Sequence, residues 1–327
     1  MILAGDIGGT KTAVALYERA DGELREVAGE VFPSRDHGSL DAIIERFLAG
    51  HPDRTVDAAC FGVAGAVIDG RAATTNLPWS EVSEAALSRA VAGAPAKLLN
   101  DLQAAALGMQ VLPESARVAL NPQGEARPGN IAVIAAGTGL GEAFLAWDGQ
   151  RHHALPTEGG HTSFAPRNEE EIELLRFLQR LHGRVSQERV VSGMGLADLY
   201  RFVRERSGEP EPAALRERFA SGDPGRVVTE AALAGEDAVC ERTMALFCSL
   251  YGAEAGDLVL KTLAVGGVFV GGGIAPRILP LLQAGGFLAS FVDKGRFAEL
   301  LSRVPVWVVT EPRAPLLGAA HRAAELA

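Results

Sequence analysis

Cysteine is scarce in this 327-residue chain. The three present, Cys60, Cys240 and Cys248, stand among apolar or helical neighbours at spacings that match no metal-ligand set. They read as buried thiols in a reducing cytoplasm rather than as disulfides or zinc ligands. Positive charge is also in short supply. Lys and Arg number 31 against 41 Asp and Glu, the net charge is −10, and no basic cluster stands out, so a nucleic-acid partner is not expected. No hydrophobic run is long enough to span a membrane. The longest uncharged stretch, residues 262–276, falls short of the roughly 20 residues required, and it reads as a buried strand and loop. Asp6 and its neighbouring glycines interrupt the start before the apolar core of a signal peptide could form. Low-complexity tracts are missing as well, and residues 207–212 read as a surface loop between helices.

Glycine, by contrast, is plentiful and clustered. The stretch GDIGGTKT, residues 5–12, superficially resembles a Walker phosphate loop, but Thr10 stands where that loop needs glycine before Lys11. The following residues, Thr12-Ala-Val-Ala-Leu-Tyr, read as a second strand rather than the helix a Walker loop opens. The segment is therefore a β-hairpin whose tip, Gly8 and Gly9, can adopt positive φ and let another group approach the backbone. Residues 131–149 repeat its grammar of apolar strand, Gly/Thr tip, apolar strand and Asp-Gly turn. Two such hairpins suggest a duplicated unit, with Thr10 and Thr138 offered to one polyphosphate held between two domains. A hairpin without any ligand remains the alternative for either motif alone.

A third cluster, residues 266–273 (GGVFVGGG), reads as a buried strand ending in a loop, with Pro276 in the first turn of a helix through Leu282. Ligands of α/β sheets sit at such carboxyl strand ends. Residues 57–65 read as another central strand. KLLND, residues 97–101, reads as a strand that stops before an alanine-rich helix, which Asp101 either caps or leaves pointing outward. Strands alternating with helices give an α/β class, and the length suits two domains.

The motifs GDIGGTKT, LLNDLQAAALG, AAGTGLG, EGGHTSFAPRNEEE, SQERVVSGMGL, GGVFVGGGIAPR and PLLGAAHRA run in order over nearly the whole chain. Together they resemble the bacterial glucokinase family of the hexokinase-like, actin-fold ATPase superfamily. The glycine motifs are shared with many sugar kinases, whereas EGGHxxFAP followed by SxERVxSGxGL is specific. The resemblance implies a two-domain actin-like (ribonuclease H-like) fold with an interdomain cleft. The smaller domain would span residues 1–108 plus 315–327 and the larger one residues 109–314.

The implied reaction is ATP-dependent phosphorylation of the glucose 6-hydroxyl. A hexose is uncharged and covered in hydroxyls, so its site needs several donors and acceptors, which carboxylates, amides and imidazole supply. Asn100, Asp101, Glu158, His161 and Glu188 form such a set, and all five match the family's sugar contacts. Asp101 is implied to be the base that takes the proton of the sugar 6-hydroxyl. ATP is implied to lie against three loops: Asp6, Gly8, Gly9, Thr10 and Lys11; Gly137, Thr138 and Gly139; Gly271, Gly272 and Gly273. Mg²⁺ would join it, with Asp6 holding the ion through water.

Simpler readings stand beside these. Asp101 alone is a helix cap, His161 a structural histidine, Glu158 a loop carboxylate and Glu188 part of a helix start capped by Ser186. Glu169, Glu170 and Glu171 read as the solvated first turn of a helix capped by Asn168. His152 and His153 have no third ligand nearby, and the zinc motif CxCGxxGC of related sugar kinases and repressors is absent. Lys11 either approaches phosphate or faces solvent. Rival functions are a kinase for another hexose or N-acetylhexosamine, a sugar-responsive regulator, and a filament-forming actin-like ATPase. A regulator would need a DNA-reading helix pair ahead of the first hairpin, and a filament former has no use for EGGH. A cytoplasmic homodimer is the expected state.

Overall fold

A computed structural model describes residues 1–74, 77–79 and 81–327. The chain divides into two compact units. The first comprises Met1–Glu114, Ala154–Pro156 and Glu311–Ala327, and the second Ser115–His153 and Thr157–Thr310.

The first unit is built on a five-stranded sheet in the order Glu23–Pro33, Lys11–Ala20, Ile2–Ile7, Ala58–Val63, Ala96–Asn100. The expected glycine-tipped hairpin forms its centre, with Ile2 opposite Tyr17 and Ile7 opposite Thr12. The next two strands join in parallel, Asp6 pairing with Gly62 and Val63 with Asn100. Strand alternation sorts the side chains onto two faces. Leu3, Ile7, Leu16 and Phe61 meet Ile43, Ile44 and Phe47 of the helix Leu40–Ala49. Ile2, Ala4, Tyr17 and Cys60 meet Ala104, Leu316, Ala319 and Ala323.

The second face explains two glycines. The helices Asp101–Val111 and Ala314–Ala324 cross so closely that a Cβ on Gly108 would lie 1.8 Å from the Ala314 carbonyl oxygen. A Cβ on Gly318 would lie equally close to that of Ala104. Backbone contact of this kind fixes the helix that begins at Asp101, and it is how the C-terminal helix joins the first unit.

The second unit repeats the sheet plan. Its hairpin, Ile131–Ala136 and Leu140–Trp147, is antiparallel, and Gly267–Gly271 then Val306–Val309 add in parallel. The long helix Ala238–Thr262 packs beneath, contributing Phe247 and Tyr251 to a core shared with Phe287 and Phe291. Tyr251 is fully buried, and its hydroxyl accepts from the Ala136 amide at 3.2 Å and lies 3.3 Å from the Ile134 oxygen. It thereby ties the helix to the strand that carries the second glycine tip. Among the described residues no helix is long and apolar enough to cross a membrane.

Three expectations need correction. Pro276 does not open a helix. A turn from Ile274 to Ile278 precedes the short helix Leu279–Gln283, with Pro280 in its first turn. Asn168 does cap the helix Glu169–His182, accepting from the Glu171 amide at 3.0 Å, but Glu171 is buried rather than solvated. It turns inward because Arg167 meets it there, its guanidinium Nε donating at 3.1 Å. Gly8, finally, does not use positive φ, and what glycine provides there is room, since a Cβ would lie 3.1 Å from the Lys11 oxygen. The three cysteines are free and buried, as expected.

Candidate functional site

In the first unit the carboxyl ends of neighbouring strands bring Asp6, Asn100 and Asp101 together. Gly62 lies between them: a Cβ there would sit 3.9 Å from Asp6 Oδ1 and 3.8 Å from Asp101 Cα. The tightest contact there is with Ala104 Cβ at 3.0 Å, and the two acids are close enough for their charges to interact. Burial, and then the negative charge of Asp101, push the Asp6 carboxyl up to about 6. Two neighbouring acids in a half-buried site offer the oxygen ligands a hard dication prefers, so the donor set fits Mg²⁺.

The helix cap falls one residue earlier than the sequence suggested. Asn100 has extended backbone, and its Oδ1 accepts from the amides of Leu102 at 2.9 Å and Gln103 at 3.2 Å. Its Nδ2 donates to the Gly65 oxygen at 3.1 Å, so at most one N–H is left to offer a ligand. Asp101 is thereby released from capping duty to the first helical position, where the helix dipole favours negative charge. Its Oδ1 accepts from the Leu102 amide at 2.9 Å.

The tip of the first hairpin is braced by a residue the sequence did not single out. Ser34 donates its hydroxyl to the Gly8 oxygen at 2.8 Å and its amide to the Thr10 oxygen at 3.0 Å. Gly8 in turn donates its amide to the Lys11 oxygen at 2.9 Å, while Thr10 and Lys11 remain exposed. Gly9 completes the tip between them.

In the second unit Glu158, His161 and Glu188 converge. His161 stands between two acids, Nε2 at 3.9 Å from Glu158 Oε2 and Nδ1 at 3.9 Å from Glu188 Oε1. Glu188 also reaches the second hairpin, where its Oε2 accepts from the Leu140 amide at 3.0 Å. A Cβ on Gly139 would lie 2.3 Å from that oxygen. The EGGH turn is seated on the strand Leu140–Trp147. A Cβ on Gly160 would meet the Leu140 oxygen at 2.1 Å, and one on Gly159 would meet Glu142 Oε2 at 1.9 Å. Both glycines are therefore required by close approach.

A cavity of about 620 Å³ opens beside the second hairpin, within the size range of small-molecule sites. Gly137, Thr138 and Gly273 line it, and a Cβ on Gly137 or Gly273 would meet nothing within 4 Å, so the backbone is open to a ligand at both. Gly271 closes the buried strand, and Gly272 turns the chain at φ +80° against the Ala136 oxygen. The remaining wall draws on two other motifs, SQERVVSGMGL and the end of GGVFVGGGIAPR, and on Arg226 and Thr229, which lie in none. It is the start of the helix Gly193–Ser207, capped by Ser192 and held by a 2.8 Å bond from the Gly193 amide to the Gly137 oxygen, together with Arg226, Thr229 and Arg277.

Residues 3–326 match the family model described as Glucokinase. The chain is 40% identical to a glucokinase of Nostoc punctiforme over 343 aligned residues, covering 100% of this chain and 99% of that one. The crystal structure of a glucokinase from an Antarctic psychrotroph superposes with a TM-score of 0.87 at 34% identity, covering 99% and 98% of the two chains. A glucokinase from Balamuthia mandrillaris, crystallised with glucose, shares the fold at a TM-score of 0.81 and 23% identity, covering 99% and 93%. The two-unit α/β architecture is that of the actin-like ATPases. The chain belongs to the glucokinase family.

Proposed function

We propose that the protein transfers the γ-phosphoryl group of ATP to glucose, at the 6-hydroxyl. Membership of the glucokinase family over the whole chain carries this reading. The convergence of His161 with Glu158 and Glu188 supports it locally, because such a set both donates to and accepts from sugar hydroxyls.

In this reading Asp101 accepts the proton of the 6-hydroxyl as that oxygen forms its bond to phosphorus and the bond to the ADP oxygen breaks. A positioned base of this kind contributes roughly 10²–10⁴ in rate. Glu158, His161 and Glu188 hold and orient the sugar, and the one spare N–H of Asn100 adds a donor. Thr10 and Lys11, and Thr138 with the open backbone at Gly137 and Gly273, bind the nucleotide, whose base and ribose take the 620 Å³ cavity. Asp6 would hold Mg²⁺, which would supply charge neutralisation for the transferred phosphoryl group. A homodimer in the cytoplasm completes the proposal, carried by the family resemblance.

The test is an assay coupling ADP release to a chromogenic readout across glucose, fructose, mannose and N-acetylglucosamine. Glucose is expected to give the highest kcat/KM by at least tenfold. Preference for another sugar would move the assignment to that hexose, and no sugar-dependent ADP release would refute it.

A further inference from the structure

Glu142 and Glu254 are both about 1% exposed, one on the strand Leu140–Trp147 and the other on the helix Ala238–Thr262. Glu254 Oε1 accepts from Lys261 Nζ at 2.8 Å. Glu142 Oε1 and Glu254 Oε2 are buried and, among the described residues, no donor reaches either. Buried acceptors without donors are costly, and a proton shared between two such carboxyls satisfies both. Burial, and next the charge of Glu254, push the Glu142 carboxyl up to about 8, so it carries that proton at neutral pH.

Burial raises the Glu254 carboxyl too, but Lys261 beside it favours the ionised form there and leaves the proton to Glu142. Lys261 opposes the shift, but its ammonium sits on Glu254. Asp257 adds negative charge and is itself paired with Lys294 at 2.6 Å. The Tyr251 hydroxyl stays neutral, its ionisation disfavoured by burial. From the turn above, Gly159 and Gly160 present no side chain, and the Glu158 and His161 side chains are exposed.

Glu142 also touches the sugar-binding turn twice. Its carbonyl accepts from Thr157 Oγ1 at 2.9 Å, and that oxygen accepts from the Gly159 amide at 3.1 Å. Its carboxyl lies so close under Gly159 that even a methyl group would not fit between them.

We propose that Glu142, protonated and donating to Glu254, is a positioning residue for hexose binding: it is the floor on which Gly159 rests, it sets where Glu158 and His161 stand, and loss of its proton to alkaline solvent weakens sugar affinity. Ionisation would place two like charges side by side, and the carboxyl has no slack above it in which to retreat. The inference rests on Glu158 and His161 being sugar contacts.

The test measures glucose affinity of the full chain by calorimetry, and kcat at saturating ATP and glucose, from pH 6.5 to 9.5. Wild type is expected to lose about tenfold in glucose affinity above pH 8 with little change in kcat. Glu142→Gln, whose amide donates to Glu254 without a titratable proton, should keep its affinity within about twofold across the range. Lys261→Met removes the opposing cation and should move the wild-type loss to higher pH. A flat wild-type profile, an unshifted loss in Lys261→Met, or the same loss in Glu142→Gln would overturn the proposal. Were Glu142→Gln not to fold, the first two outcomes still decide it. No glucose binding at pH 7 would strike the sugar-site reading itself, whereas normal binding with a pH-flat profile strikes only the role of Glu142.

Discussion

Asp6 and Asp101 lie near each other beside Gly62, and the negative charge of Asp101 adds to burial in raising the Asp6 carboxyl. The relationship predicts a trade between stability and activity. Asp6 has its carboxyl raised from 3.8 to about 6, so the folded chain keeps this proton over a window in which the unfolded chain has lost it. Stability therefore falls as pH rises through that window, and the whole deficit, on the order of 3 kcal/mol, is present above pH 6. Asp6→Asn should raise the Tm of the ligand-free protein by a few degrees at pH 7.5, with the gain vanishing by pH 4, while turnover collapses. Thermal melts at the two pH values check this, and an unchanged or lowered Tm at pH 7.5 would contradict it.

Glu188 links the Glu158–His161 cluster to the second glycine tip through the Leu140 amide. Gly139→Ala would drive a methyl group into that carboxylate. A hydrogen bond to a charged group is worth roughly 1.5–3 kcal/mol, so KM for glucose should rise about tenfold or more, with KM for ATP rising as well. Steady-state kinetics in both substrates decides the point, and a change confined to ATP would show that Glu188 does not serve the sugar.

Asn100 is first a structural residue. Its side chain caps the helix Asp101–Val111 and bonds to Gly65. Asn100→Ala should cost about 1–2 kcal/mol of stability as well as weaken glucose binding. Denaturant unfolding alongside calorimetry separates the two effects, and full stability with lost binding would mean the cap is dispensable.

The local pieces were legible because glycine tips and apolar alternation are short-range signals. Both hairpins, the buried strand before Gly271 and the strand before Asp101 all formed as read. What escaped depends on partners distant in sequence. The cap moved from Asp101 to Asn100 because Gly65 holds the asparagine side chain in place. Glu142 passed for part of an ordinary strand, although a lone acid in the run LGEAFLAW was the available signal. Ser34 lies outside every motif, and Gly193, although part of SQERVVSGMGL, gives no sign in the sequence of its bond to the second glycine tip. Gly108 and Gly318 acquire meaning only once their two helices are seen to touch.

The most direct measurement is the single-turnover rate of glucose phosphorylation in wild type and Asp101→Ala, taken with the glucose affinity of each. The account predicts that the variant binds glucose within a few-fold of wild type and transfers phosphate at least 10²-fold more slowly, as removal of a positioned base requires. Near-normal transfer by Asp101→Ala would contradict it.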